Sequence, residues 1–237
     1  MILELGPDGA ELAMSFSPIL KVKFDQFRRG LAQKAQPAAA HIALARPGQR
    51  LYGADLIRAR GLRAVLAEDF AAHYRSVFAP GFQAVAVYRF GTWVETINAK
   101  PLKILPKLVH RLAYLFVRNV YGIELEASVR IGRRFVIGHQ SGIVIHKYAT
   151  FGDDCLVRQN VTLGEGADGM VAGIGPVIGD RVSFGPGAVV LGNVTIGDNV
   201  IIGPNCVVTT SIPAGRTVFN PPPRQLPREA PTAAVAE

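Results

Sequence analysis

Five histidines and two cysteines are the side chains of this chain best equipped for covalent or proton-transfer chemistry. Imidazole titrates near neutral pH, so histidine is the usual general base for taking a proton from a hydroxyl. Among His41, His73, His110, His139 and His146, spacing sets one apart. His139 lies two residues after Ile137, as Gln159 lies two residues after Val157. His146 directly follows Ile145, which puts it just outside the same register. His73 and His110 fall in helical stretches, where packing or surface roles suffice. Cys155 and Cys206 each follow a bulky residue by four positions, an inward place that suits a reduced, buried, non-catalytic thiol. Two cysteines are too few for a cysteine zinc site or a disulfide-dense scaffold, and nothing in the chain needs a metal.

The element that must position His139 is a repeat. Bulky residues recur every six positions as Leu125, Ile131 and Ile137, then Ile145, Phe151, Val157 and Leu163, then Ile178 through Val208. A second position, four residues on, is small or apolar at Val129, Ala149, Cys155, Ala188 and Cys206, among others. Two positions in register at a fixed six-residue period specify hexapeptide coils of a parallel β-helix, eighteen residues per turn. Strands of a sandwich would not hold that spacing. The 25 glycines, concentrated after residue 120, fit the corners such a coil needs. The period breaks twice. Two extra residues lie between Ile137 and Ile145, and fifteen rather than six separate Leu163 from Ile178, so a Gly-rich loop near 164–176 is extruded. With the first insertion counted, one coil above His139 is Gln159, and this polar column lies near the root of the loop.

Ahead of the repeat the period is helical over 55–77, from Phe82 to about Ile97, and over 107–120. The last stretch carries Leu105, Leu108, Val109, Leu112, Leu115 and Phe116 on one side and Lys107, Arg111 and Arg118 on the other. Such a helix could lie on an anionic membrane; packing against neighbouring helices with a solvated basic face is the preferred reading. The chain thus divides into an N-terminal extension (1–50), a helical domain (51–121), the β-helix (122–215) and a tail (216–237). The net charge of +8 attracts anions without naming one, and no basic-aromatic interleaving points to nucleic acid. No apolar run spans a bilayer and no signal peptide opens the chain, so a cytoplasmic location is expected.

The ordered blocks Gly81–Trp93, Ile131–Val144 and Val161–Gly164 resemble the serine acetyltransferase family over roughly residues 55–224. Ile131–Phe135, Gly152–Asp154 and Gly166–Asp168 are most similar to its exopolysaccharide branch, of the colanic-acid acetyltransferase kind. The resemblance implies an α+β chain, a helical domain followed by a left-handed parallel β-helix. It implies homotrimers, in some cases paired as dimers of trimers, with acetyl-CoA between adjacent β-helices. It makes His139 the base, Glu124 the carboxylate that orients it, and Asp69 an acceptor contact. Acetyl-CoA would meet loop amides near Gly164 and the late residues Arg216, Asn220 and Arg224, the last two in an Asn220–Arg224 closing segment.

Three departures bear on the acceptor. Gly138 replaces an Asp before the base, Ile174-Gly175 replaces an Arg-His pair before Pro176, and Phe70 replaces the Pro after Asp69. Without that Arg a free carboxylate loses its bidentate partner, whereas a sugar hydroxyl needs none. The expectation is therefore O-acetylation of a sugar of an exopolysaccharide or its precursor, with Gln159 and Gly175 near the acceptor. The alternatives are serine O-acetylation for cysteine synthesis and a catalytically impaired scaffold.

Overall fold

A computed structural model of the chain describes residues 50–164 and 175–221. The N-terminal extension, most of the extruded loop and the tail with Arg224 lie outside the described residues. Among the described residues four helices precede the strands: α1 (Gly53–Arg60), α2 (Leu62–Ala72), α3 (Pro80–Glu95) and α4 (Lys100–Tyr121). The first helical stretch is split because Gly61 sits at φ 80°, a conformation that ends one helix and opens the next. Helix α4 starts seven residues before the expected 107. Pro101 is pre-shaped for its first turn, and Pro106 is accommodated inside the helix rather than ending it.

Among the described residues fourteen short strands then wind through three parallel sheets. The first face stacks β1 (Ile123–Leu125), β4 (Ile143–Ile145), β7 (Thr162–Gly164), β10 (Val189–Leu191) and β13 (Val207–Val208). The second stacks β2 (Arg130–Ile131), β5 (Thr150–Phe151), β8 (Val177–Ile178) and β11 (Thr195–Ile196). The third stacks β3 (Val136–Ile137), β6 (Leu156–Val157), β9 (Ser183–Phe184), β12 (Ile201–Ile202) and β14 (Thr217–Val218). The result is a left-handed parallel β-helix behind a helical domain. The bulky residues of the six-residue period all point into the prism, none more than 4% exposed. Burying each such side chain contributes about 1.5–3 kcal/mol. Phe135, Phe151 and Phe184 meet edge to face up its axis.

The register reproduces the interruptions. Ile137 pairs with Val157 and Ile131 with Phe151, twenty residues apart, while Phe151 pairs with Ile178 across the loop and Ile178 with Ile196 at the regular eighteen. The two extra residues surface at Ser141 and Gly142, both left-handed. Their backbone takes up the end of α4: the Ser141 and Ile143 amides donate to the Tyr121 and Gly122 carbonyls at 2.9 and 3.0 Å. The insertion is thus a seat for the helical domain.

One corner of the prism is built from an aspartate ladder. Asp153, Asp180 and Asp198 each accept the backbone amide of the coil before, from Arg133, Asp153 and Asp180, at 2.8–2.9 Å. Their carboxylates fill the space where a β-carbon on Gly132, Gly152 or Gly179 would collide. The Gly-Asp pairing of the sequence is therefore a steric exchange between successive coils.

The two domains are bolted together by buried polar side chains. Arg89 of α3 donates from Nε to Asp69 Oδ2 at 2.8 Å and from its terminal nitrogens to the Gly132 and Ile131 carbonyls at 2.5 and 3.2 Å. Asp69 also accepts the Phe135 amide at 3.2 Å, and both charged side chains are wholly buried. His73 adds a second bolt. Its Nδ1–H donates to the Asp69 carbonyl at 2.7 Å, and its Nε2 accepts the Ile137 amide at 3.2 Å. Tyr88 donates to the Val129 carbonyl at 2.7 Å.

Helix α4 departs most from expectation. It meets α3 through Val117 and His110, where Gly91 lets the imidazole approach. The leucines expected to pack inward, Leu105, Leu108 and Leu112, are instead 53–68% exposed, and Phe116 is 52% exposed. The apolar stripe is too wide for one neighbour to cover, so most of it faces outward beside the basic residues.

Candidate active site

His139 follows β3 at the edge between the third and first faces, and it is exposed. Just before it, the Gly138 amide donates to the Val157 carbonyl at 2.8 Å, which fixes the edge while leaving the ring uncommitted. Among the described residues no side chain hydrogen-bonds the imidazole. The register joins Ile137 to Val157, and His139 and Gln159 each follow that pair by two residues. Gln159 lies just inside the surface, and its Oε1 is buried with no hydrogen-bond partner. An orphaned acceptor of this kind costs about 1–3 kcal/mol and invites a donor.

Glu124 sits on β1 beside Val144 of β4. The contact with His139 that the sequence suggests is not made here; the carboxylate pairs with Arg118 at 3.5 Å instead, because the last turns of α4 bring that guanidinium alongside β1. Asp69 also differs from its expected role as an acceptor contact. It is consumed by Arg89 and Phe135, and burial pushes its carboxyl above the usual carboxylate range against the opposing influence of Arg89. It holds the β2–β3 segment that carries His139 rather than facing solvent.

A second cluster lies on a different edge, between the first and second faces. Ser128, Tyr148, Gly175 and Asn193 stack there, and with Arg130, Lys147 and Thr150 they enclose a groove of about 410 Å³. At Gly175 a β-carbon would come within 2.8 Å of the Tyr148 carbonyl carbon. The chain passes flush against the coil below, with no room for the larger residue of the family pattern. Tyr148, Lys147 and Asn193 escaped the sequence reading, although coil arithmetic from Gly175 would have found them: 175 − 27 = 148 and 175 + 18 = 193.

The remaining residues do not gather at His139. Gly164 ends β7, its carbonyl accepting the Gly192 amide at 3.2 Å. Arg216 is exposed on the last coil, and Asn220 donates to the Asn205 carbonyl at 2.8 Å. Burial pushes the Cys155 thiol up to about 12, which keeps it from acting as a nucleophile. Among the described residues no helix is long and apolar enough to cross a membrane.

Residues 175–210 match the bacterial transferase hexapeptide (six repeats) family. A serine acetyltransferase of Helicobacter pylori is 32% identical over 136 residues, 56% of this chain and 75% of that protein. The putative colanic acid biosynthesis acetyltransferase WcaB of Escherichia coli is 34% identical over 111 residues, 46% of this chain and 62% of that one. A crystal structure of serine acetyltransferase isoform 3 from Entamoeba histolytica, in complex with cysteine, has a TM-score of 0.59 at 29% identity, covering 75% of this chain and 64% of that one. The chain spans about half the length of some curated relatives, 44% of the Synechococcus elongatus serine acetyltransferase and 56% of the Synechocystis one. Hexapeptide coils, a helical domain seated on their first insertion and identity across three quarters of a serine acetyltransferase agree: the chain belongs to the serine acetyltransferase family of hexapeptide-repeat transferases.

Proposed function

We infer that the chain is an acetyl-CoA-dependent O-acetyltransferase whose acceptor is a sugar of an exopolysaccharide or its precursor. The observation that carries this reading is His139, exposed and without a side-chain hydrogen bond among the described residues, following a strand that pairs with the one leading to Gln159, whose amide oxygen is buried and unsatisfied. An acceptor hydroxyl bound there would have its proton taken by His139 as its oxygen attacks the thioester carbonyl. The C–S bond then breaks, and the imidazolium returns the proton to the departing CoA thiolate. Backbone amides near Gly164 supply the donors for the oxyanion. Glu124, freed from Arg118, stabilises the imidazolium. Arg216, Asn220 and Arg224 hold the cofactor's phosphates, and no metal takes part.

His139 and the groove at Gly175 lie on different edges of the prism, so a single chain does not bring them together. A homotrimer joins one edge of each prism to the other edge of its neighbour. The bare apolar face of α4, which runs directly into β1, is the surface on which that second copy packs, and dimers of trimers would extend the same contact. The sugar is favoured over serine because, among the described residues, the groove at Gly175 offers no carboxylate to an amino acid's ammonium group. Measuring CoA release from acetyl-CoA with L-serine and with saccharide acceptors tests the reading. Efficient release with serine alone would defeat it.

A further inference from the structure

The groove at Gly175 contrasts with its surroundings in how its cations are held. Arg133, Arg134 and Arg50, on the edge with the aspartate ladder, are all engaged by carboxylates of Glu68, Asp154 and Asp180 or Asp198. Arg130 and Lys147 are not. The Arg130 guanidinium rests over the Tyr52 ring at 5.1 Å, and the Lys147 ammonium over the Tyr148 ring at 5.1 Å. Among the described residues neither has an ion-pair partner, and no carboxylate lines the groove they share. Two cations without an ion-pair partner lining one groove mark a place for an anion.

The rest of the lining indicates what carries that anion. Ser128, Thr150 and Asn193 present hydroxyl and amide groups, suited to a polyhydroxylated molecule. A volume of about 410 Å³ falls within the range of small-molecule pockets and leaves ample room beyond a single amino acid. A zwitterionic amino acid would also bring an ammonium group, and among the described residues the lining offers it no carboxylate. We propose that this groove receives the acceptor, and that the acceptor is a saccharide bearing an anionic group, a uronate carboxylate or a sugar phosphate. This assignment rests on the O-acetyltransferase reading and narrows its substrate.

The test uses the full chain, with binding of glucuronate, glucose 1-phosphate, glucose and L-serine followed by calorimetry and CoA release measured alongside. At least one anionic sugar should bind about tenfold or more tightly than glucose, and which one does so identifies the anion. Lys147→Gln should weaken that binding about tenfold while leaving the KM for acetyl-CoA unchanged; Arg130→Gln should do the same with an unaltered thermal melt. Equal binding of glucose and both anionic sugars would overturn the proposal. So would a Lys147→Gln variant with a raised KM for acetyl-CoA and unchanged sugar binding, which would give the groove to the cofactor's phosphates. Anionic-sugar binding through Lys147 in a chain that releases no CoA would uphold the groove as a sugar site and bring down the transfer reading instead.

Discussion

His139 is available because its neighbours are occupied. The Gly138 amide is tied to Val157, the Ser141 and Ile143 amides bond to the end of α4, and His73 clamps the Ile137 amide from below. The pairing of Ile137 with Val157, which sets where His139 and Gln159 follow, was legible from sequence because a coil repeats its register. The roles of Asp69 and His73 were not, because their partners Arg89, Phe135 and Ile137 come from other elements and only packing reveals them. Replacing His139 with Ala should lower CoA release about 10²–10⁴-fold and leave assembly intact; undiminished turnover would move the base elsewhere. His73 sets a separate pH limit. Burial holds its ring below the ordinary imidazole value, against the hydrogen bond to Asp69. Its neutral form accepts the Ile137 amide, so its stabilisation is complete above pH 6.5, the unfolded value, and is lost as pH falls from there through the folded value. Thermal melts should decline across that interval in the wild type and decline less in His73→Gln; identical profiles would remove His73 from the account.

At the scale of elements, the β-helix was legible almost in full, since each strand is announced by its own inward residue and each interruption by a changed count. The helical domain was less so. The periodicity started α4 only after Pro106 and turned its leucines inward, whereas the packing of His110 on Gly91 fixes a different face against α3. The Asp69–Arg89 pair locks these helices to the β2–β3 segment, and both partners are fully buried. Asp69→Asn leaves Arg89 charged and unmatched, so it should cost about 3–5 kcal/mol in denaturant unfolding. Asp69→Leu combined with Arg89→Met should cost less than the single change, because no buried charge remains. A single variant within 1 kcal/mol of wild type, on the order of a surface substitution, would show that the pair bears little of the domain contact.

The molecule presents His139 and the Gly175 groove on separate edges, and a long apolar helix face left uncovered by the described residues. Both point to assembly, which sequence could suggest only by resemblance because the surfaces that meet belong to different copies. Leu112→Glu, on the exposed side of α4, should shift the oligomer toward monomer in light scattering and lower activity with it. A monomeric wild type that floats with anionic vesicles would assign the face to lipid instead. The most direct test of the central claim is CoA release from acetyl-CoA by the wild type and His139→Ala, with glucuronate, glucose 1-phosphate, glucose and L-serine each offered as acceptor. The account predicts turnover with an anionic saccharide, little with serine, and loss of that turnover in the variant. Turnover with serine alone, or saccharide turnover that survives loss of His139, would contradict it.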